Sequence, residues 1–355
     1  MSTPAARSAA TGPEAGHAPE AGAGPGADAA ARAGAAAGAP APTGAPADPG
    51  PLAVRLGAFL RGSFPLPLSV VFAGVWAVGA TGLFAAADAR VGHWRPGWGT
   101  VGAALTVLVD LLLMRAADDL RDLPYDRRHN PSRPLARGAV LPRDLYLLFG
   151  AGAAFLLLLN AANRAALLLI AAQLVYTALL VGAELRLGWP RGDAVVSGVL
   201  LSSPVQMLLN LYLYAVFLHD TGLDGDTVAR AGRHVLPLLA VIMLAATHHE
   251  LVRKVVRVPG AHERTYVRVF GLRGTVAFAL GSAVASAAVS LAVLRPWAGG
   301  PAGWGWLALL PVALAALAAR RFGRTGAARW PVGAVVGYLP AVFVCHLLIG
   351  LGGTS

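Results

Sequence analysis

The chain has 355 residues, of which 56% are apolar and 13% charged, with a formal charge of +11 and a mean hydropathy of +0.60. These proportions exclude a soluble globular domain and fit a polytopic membrane protein. The positive charge does not point to nucleic acid, because the basic residues lie in short loops between apolar runs and no basic–aromatic interleaving is present.

Residues 1–55 are Ala, Gly and Pro with scattered charges. Such a stretch cannot bury a core, so a disordered cytoplasmic tail is expected there and a transmembrane domain over 56–355. No basic segment followed by an apolar core opens the chain, so no secretory leader is expected. A helix needs roughly 20 apolar residues to cross the hydrocarbon layer. Nine stretches meet or approach that length: about Pro65–Ala87, Gly99–Ala117, Leu145–Asn160, Ala165–Ala183, Ala194–Leu218, Val235–Thr247, Leu272–Leu294, Trp304–Ala319 and Pro331–Gly350. The sixth must run on through His248 and Glu250 to span. The predicted fold is all-α, a bundle of about nine transmembrane helices. Cys345, the single cysteine, lies in an apolar run and excludes an internal disulfide.

Lys and Arg number 18 in the loops after even-numbered spans and 6 after odd-numbered ones. Basic loops stay in the cytoplasm, so the N-terminus is expected there and the C-terminus outside. The loop from His219 to Arg233 carries Asp220, Asp224 and Asp226, but its glycines and acids do not match a calcium loop. It reads as an acidic outer loop.

The second span ends in Asp118-Asp119-Leu120-Arg121-Asp122-Leu123-Pro124-Tyr125-Asp126, then Arg127-Arg128-His129-Asn130-Pro131-Ser132-Arg133-Pro134-Leu135. Charges at the edge of a membrane are costly, which favours a chemical role. On a helix, Asp118, Asp122 and Asp126 line one face with Asp119 about 100° round. Pro124 is expected to break the helix near Leu123 and swing Asp126 onto a following turn. Carboxylates without Cys or paired His suit a hard cation such as Mg²⁺, and arginines suit phosphate. The pattern therefore fits a metal–diphosphate site, or a salt-bridged surface loop.

Asp118-Asp119-x-x-Asp122-x-x-x-Asp126, followed by Asn130-Pro131-Ser132-Arg133-Pro134-Leu135 and Gly138, resembles the first aspartate-rich motif of the UbiA family of intramembrane prenyltransferases. The resemblance implies an all-helical fold with nine spans and an active site at the cytoplasmic side. It also implies that Asp118, Asp119, Asp122 and Asp126 hold Mg²⁺ on a prenyl diphosphate, with Arg127 and Arg133 on the diphosphate itself. The family's second motif, Asp-x-x-x-Asp, is replaced here by Glu250-Leu251-Val252-Arg253-Lys254, a form similar to a divergent branch. Glu250 is expected to join the metal ligands. Arg253 and Lys254 share its helical face and are expected either to contact the diphosphate where a metal is lost, or only to set topology. His248 and His249 point about 100° apart on a helix and cannot chelate one ion together. A structural hydrogen bond is the expectation for His248, and a proton-accepting role in the site stays open for His249.

Inside the spans, Gln173, Tyr176, Thr177, Ser203, Gln206 and Asn210 either line a pocket for the acceptor and the prenyl chain or hydrogen-bond between helices. Asp110 either supports the metal site or pairs with Arg115. Tyr176, Tyr212, Tyr214 and Phe217 are candidates to face an allylic cation. The implied reaction moves a prenyl group from an allylic diphosphate to a lipophilic, aromatic acceptor within membrane lipid. A cyclase acting on the prenyl diphosphate alone, or a non-catalytic lipid-binding or transport protein, are the alternatives.

Overall fold

The computed structural model describes residues 50–188, 195–223, 228–261 and 263–353. The expected tail up to residue 49 and the acids Asp224 and Asp226 lie outside them. The helices are α1 (Leu52–Ser63), α2 (Leu66–Ala87), α3 (Trp98–His129), α4 (Pro142–Leu159), α5 (Arg164–Leu187), α6 (Val195–Asp220), α7 (Val228–Arg253), α8 (Val267–Leu294), α9 (Leu310–Thr325) and α10 (Val332–Gly353). Two 3₁₀ segments, Pro296–Ala298 and Gly300–Leu309, join α8 to α9. Among the described residues, nine helices are long and apolar enough to cross a membrane, and the only β pairing is an isolated bridge between Val256 and Arg329. The protein is an all-α, multi-pass membrane bundle. In lipid every backbone N–H and C=O must be satisfied within the protein, and helices do this segment by segment.

Helix α3 has 32 residues, about 48 Å at 1.5 Å per residue, against roughly 30 Å of hydrocarbon. About twenty residues from Trp98 exhaust the apolar layer near Ala117, so the Asp118–His129 segment overhangs the membrane edge. The helix does not break at Pro124 as predicted. It passes through the proline and ends at His129, where Asn130 N–H donates to the Asp126 carbonyl at 2.8 Å. Beyond it, Ala139 N–H returns to the Pro134 carbonyl at 2.9 Å and Gly138 takes φ +78°. That left-handed backbone is why a glycine follows the Arg-Pro-Leu run.

Close helix contacts use small residues, as lipid-embedded packing requires. A side chain at Gly79 would collide with the Phe343 backbone, and one at Gly82 with His346, so α2 and α10 lie backbone to backbone. Trp76 stacks on Phe343 at 5.8 Å and donates to Asn210 Oδ1 at 3.1 Å, tying α6 to that pair. At the end opposite the aspartates, Thr100 N–H donates to the Asp220 carboxylate, which caps the start of α3 from α6. A side chain at Gly99 would strike that carboxylate.

The first turn of helix α1 lies within the stretch expected to be tail, so the folded domain begins at about residue 50 rather than 56. Its short amphipathic pattern is below spanning length. Fully buried Phe59 packs with Ala116, Leu120, Leu135, Val140 and Leu145. Arg55 forks onto buried Asp144 at 2.6 and 2.7 Å, locking α1 to α4. Arg55→Ala strands that carboxylate and is expected to cost about 3–5 kcal/mol, whereas Arg55→Met with Asp144→Leu costs much less. Thermal unfolding in detergent reads both, and an Arg55→Ala variant as stable as the wild type contradicts the assignment.

Candidate functional site

The four aspartates do not share one face. At about 100° per residue, each four-residue step drifts by about 40°, so two steps carry Asp126 to within about 20° of Asp119. The structure follows this arithmetic. Asp118 and Asp122 are the outward pair, with side chains 56% and 37% exposed. Asp119 and Asp126 are the inward pair, at 2% and 5%.

The inward pair is saturated. Asp119 meets Arg115 at 2.6 Å and accepts from Ser63 of α1 at 2.7 Å. Asp126 accepts from Asn130 at 2.8 Å and Arg133 at 2.7 Å, and Arg133 also reaches Asp119 at 3.6 Å. Arg133 thus bridges both inward carboxylates. Arg115 belongs to Asp119 and not to Asp110. In the outward pair, Asp118 lies 3.3 Å from Arg121, itself held more closely by Glu184 of α5 at 2.5 Å.

The second segment meets the first at this same end. Arg264, just before α8, crosses to Asp122 at 2.9 Å and lays its guanidinium 3.9 Å over the Tyr125 ring. Arg253, in the last turn of α7, is within electrostatic reach of Asp118. Glu250 is enclosed by its own neighbours. Arg253 pairs with it, Lys254 reaches it at 2.8 Å, and Tyr266 O–H donates to it at 2.9 Å. The Lys254 ammonium also sits 5.2 Å over the Tyr266 ring. Arg257 instead pins the backbone, donating to the Ala327 and Phe322 carbonyls at 3.1 and 2.9 Å.

These positions change the expected ligand set. Among the described residues no three His, Cys, Asp or Glu side chains converge as a metal group. Asp119, Asp126 and Glu250, expected as metal ligands, already serve cations and hydroxyls. Asp118 and Asp122 do fit magnesium, which typically takes one or two carboxylates and completes its shell with water and substrate phosphates. Arg127 is exposed and has no ion pair among the described residues.

The residues assigned to a pocket are brought together only in part. Gln173 Nε2 and Thr177 Oγ1 both lie 3.5 Å from Met114 Sδ on α3. Tyr176 O–H donates to the Leu201 carbonyl at 2.9 Å, and Asn210 accepts from Trp76. These four are interhelical ties. Gln206 is exposed on the outside of α6. His249 Nδ1–H donates to the Val335 carbonyl at 3.1 Å and His248 Nδ1–H to Ala279 at 2.8 Å, so both rings anchor α7 to its neighbours. Tyr214 and Phe217 pack on Phe84, and Tyr212 donates to Asn160, all toward the far end of the bundle.

Sequence reasoning passed over Ser63, Arg115, Glu184, Arg264 and Tyr266 as site residues. The last two sit in the run after Lys254 and carry the only signal, an arginine and a phenol beside the motif. Tyr266 lies just outside the spanning stretch. Burial pushes its phenol above the ordinary range, and the adjacent Glu250 carboxylate pushes it further. A pKa raised above the unfolded value of about 10 gives stability that is complete below that pH and lost above it. The melting-temperature gap between wild type and Tyr266→Phe is therefore expected to be constant below about pH 9 and to close above about pH 10. A gap that does not narrow in alkali removes the Tyr266–Glu250 bond from the account. Comparison with protein-family models, curated proteins and solved structures finds no match for this chain.

Proposed function

We propose that the protein is an integral membrane prenyltransferase of the UbiA type. It would transfer a prenyl group from an allylic diphosphate to a lipophilic, aromatic acceptor, at the cytoplasmic side of the cell membrane. The observation that carries this reading is the Arg264–Asp122 contact. It joins two charged segments 142 residues apart at the overhanging end of α3. The motif resemblance supports it, and the excess of Lys and Arg in the loops on this side supports the cytoplasmic orientation.

The charge balance supports it as well. Each cation facing the site is already answered by a carboxylate: Arg133 by Asp126, Lys254 and Arg253 by Glu250, Arg264 by Asp122. An incoming diphosphate thus brings negative charge that the resting site does not neutralise. Asp118 and Asp122 would hold a magnesium ion, which would supply that charge. Arg133 presents a guanidinium oriented by two carboxylates, suited to bidentate phosphate contact. Arg253 and Lys254, steered by Glu250, add positive charge from the end of α7. Their charge is most useful as the allylic C–O bond breaks and its electron pair leaves with the diphosphate. The acceptor then bonds to the allylic carbon and loses a proton. The allylic cation would need shelter from water, which an apolar bundle can give.

The test is to supply C10 to C20 allylic diphosphates to membranes containing the protein, with and without Mg²⁺, and to follow pyrophosphate release. Release is expected from the wild type with Mg²⁺ and not from Asp122→Ala. Lys254→Asp is expected to lower release on the order of tenfold at limiting Mg²⁺, with partial recovery at high Mg²⁺. Equal background release from wild type and Asp122→Ala would end this reading.

A further inference from the structure

Among the described residues Asp122 has one close cation, and it comes from another part of the chain. The strap that delivers Arg264, described over residues 255–261 and 263–266, is pinned at three points. Arg257 N–H donates to the Ala328 carbonyl at 2.7 Å, Glu263 pairs with Arg329 at 2.5 Å, and Thr265 O–H donates to the Lys254 carbonyl at 2.5 Å. The strap backbone is therefore held to the α9–α10 connection and to the end of α7, and among its described residues only the Arg264 side chain reaches across to α3. It reaches a half-exposed carboxylate while being 28% exposed itself. Ion pairs that wet are weak and readily exchanged. The contrast is with Arg55–Asp144, which is shut away from water at 10% and 1%.

Tyr125 gives the guanidinium a second hold that does not depend on Asp122. The ring takes its flat face at 3.9 Å, leaving its N–H edges to be shared among acceptors. Asp118, one turn back, is the poorly answered carboxylate, with its arginine drawn toward Glu184. Arg264 is thus the cation that masks the Asp118–Asp122 pair in the resting protein.

Resting on the prenyl-diphosphate reading above, we propose that Arg264 is an exchangeable latch. It occupies Asp122 until a divalent cation arrives with diphosphate, then turns its N–H groups from the carboxylate to a phosphate oxygen while Tyr125 keeps it seated. Metal and arginine compete for the same carboxylate when diphosphate is absent. They act together when it is present.

This predicts changes of opposite sign from one substitution. The probe is Mn²⁺, whose free ion is read by electron paramagnetic resonance, with the full-length protein in detergent, alone or with inorganic pyrophosphate. Arg264→Gln is expected to bind Mn²⁺ alone roughly three- to tenfold tighter, and Mn²⁺ with pyrophosphate roughly tenfold weaker. Arg264→Lys, which keeps the charge, is expected to restore the weak binding of Mn²⁺ alone. A melting curve for each variant confirms that it is folded. If Arg264→Gln shifts both affinities in the same direction, or neither, the latch is wrong while the diphosphate site stands. If wild type shows no pyrophosphate-dependent Mn²⁺ binding that Asp122→Asn abolishes, the diphosphate reading falls, and the latch with it.

Discussion

A helix longer than the membrane is thick sets the arrangement of this molecule. Once α3 enters at Trp98, the hydrocarbon ends about where the apolar residues do, and the next three turns must stand in the boundary region. There a charge can be kept only with a partner, because the dielectric is low on one side and water is near on the other. The acids of α3 recruit those partners from everywhere the chain returns to that end: α1 through Ser63, the post-α3 turn through Arg133, α5 through the Glu184-held Arg121, and the strap before α8 through Arg264. The tertiary structure at this end is to a large extent the solution to that neutralisation problem.

The solution sorts the acids by burial. The inward pair, Asp119 and Asp126, is closed off by α1 and by the turn that Gly138 completes, and it positions Arg133 without being free itself. The outward pair keeps contact with water and with the second segment. Two pairs of carboxylates on one helix are thus held differently: the inward pair orients a cation, and the outward pair stays open to water. The same division appears in the second segment, where Glu250 is surrounded by Arg253, Lys254 and Tyr266 and serves to aim them.

The nine spans were legible in the chain because length and hydropathy answer a simple physical demand, and the sixth was rightly expected to run through His248 and Glu250. Local signals that depend on a partner were not. Pro124 reads as a helix end, yet the lost hydrogen bond falls in the overhang, and the helix carries on. Arg55 reads as the end of the tail, and only Asp144 and the α3–α4 core give its helix a reason to fold. Gln206 and Asn210 read as one polar stripe, while packing sends one to the outside and the other to Trp76.

From its residues alone the chain determined that it would be helical, membrane-spanning, and acidic and basic at one edge. Composition and period act locally, and lipid forbids the alternatives. Which carboxylates face outward, which arginine each one meets, and that Arg264 closes on Asp122 were decided only when distant segments packed. A charge chooses its partner by distance, and distances between helices are not written in the order of residues.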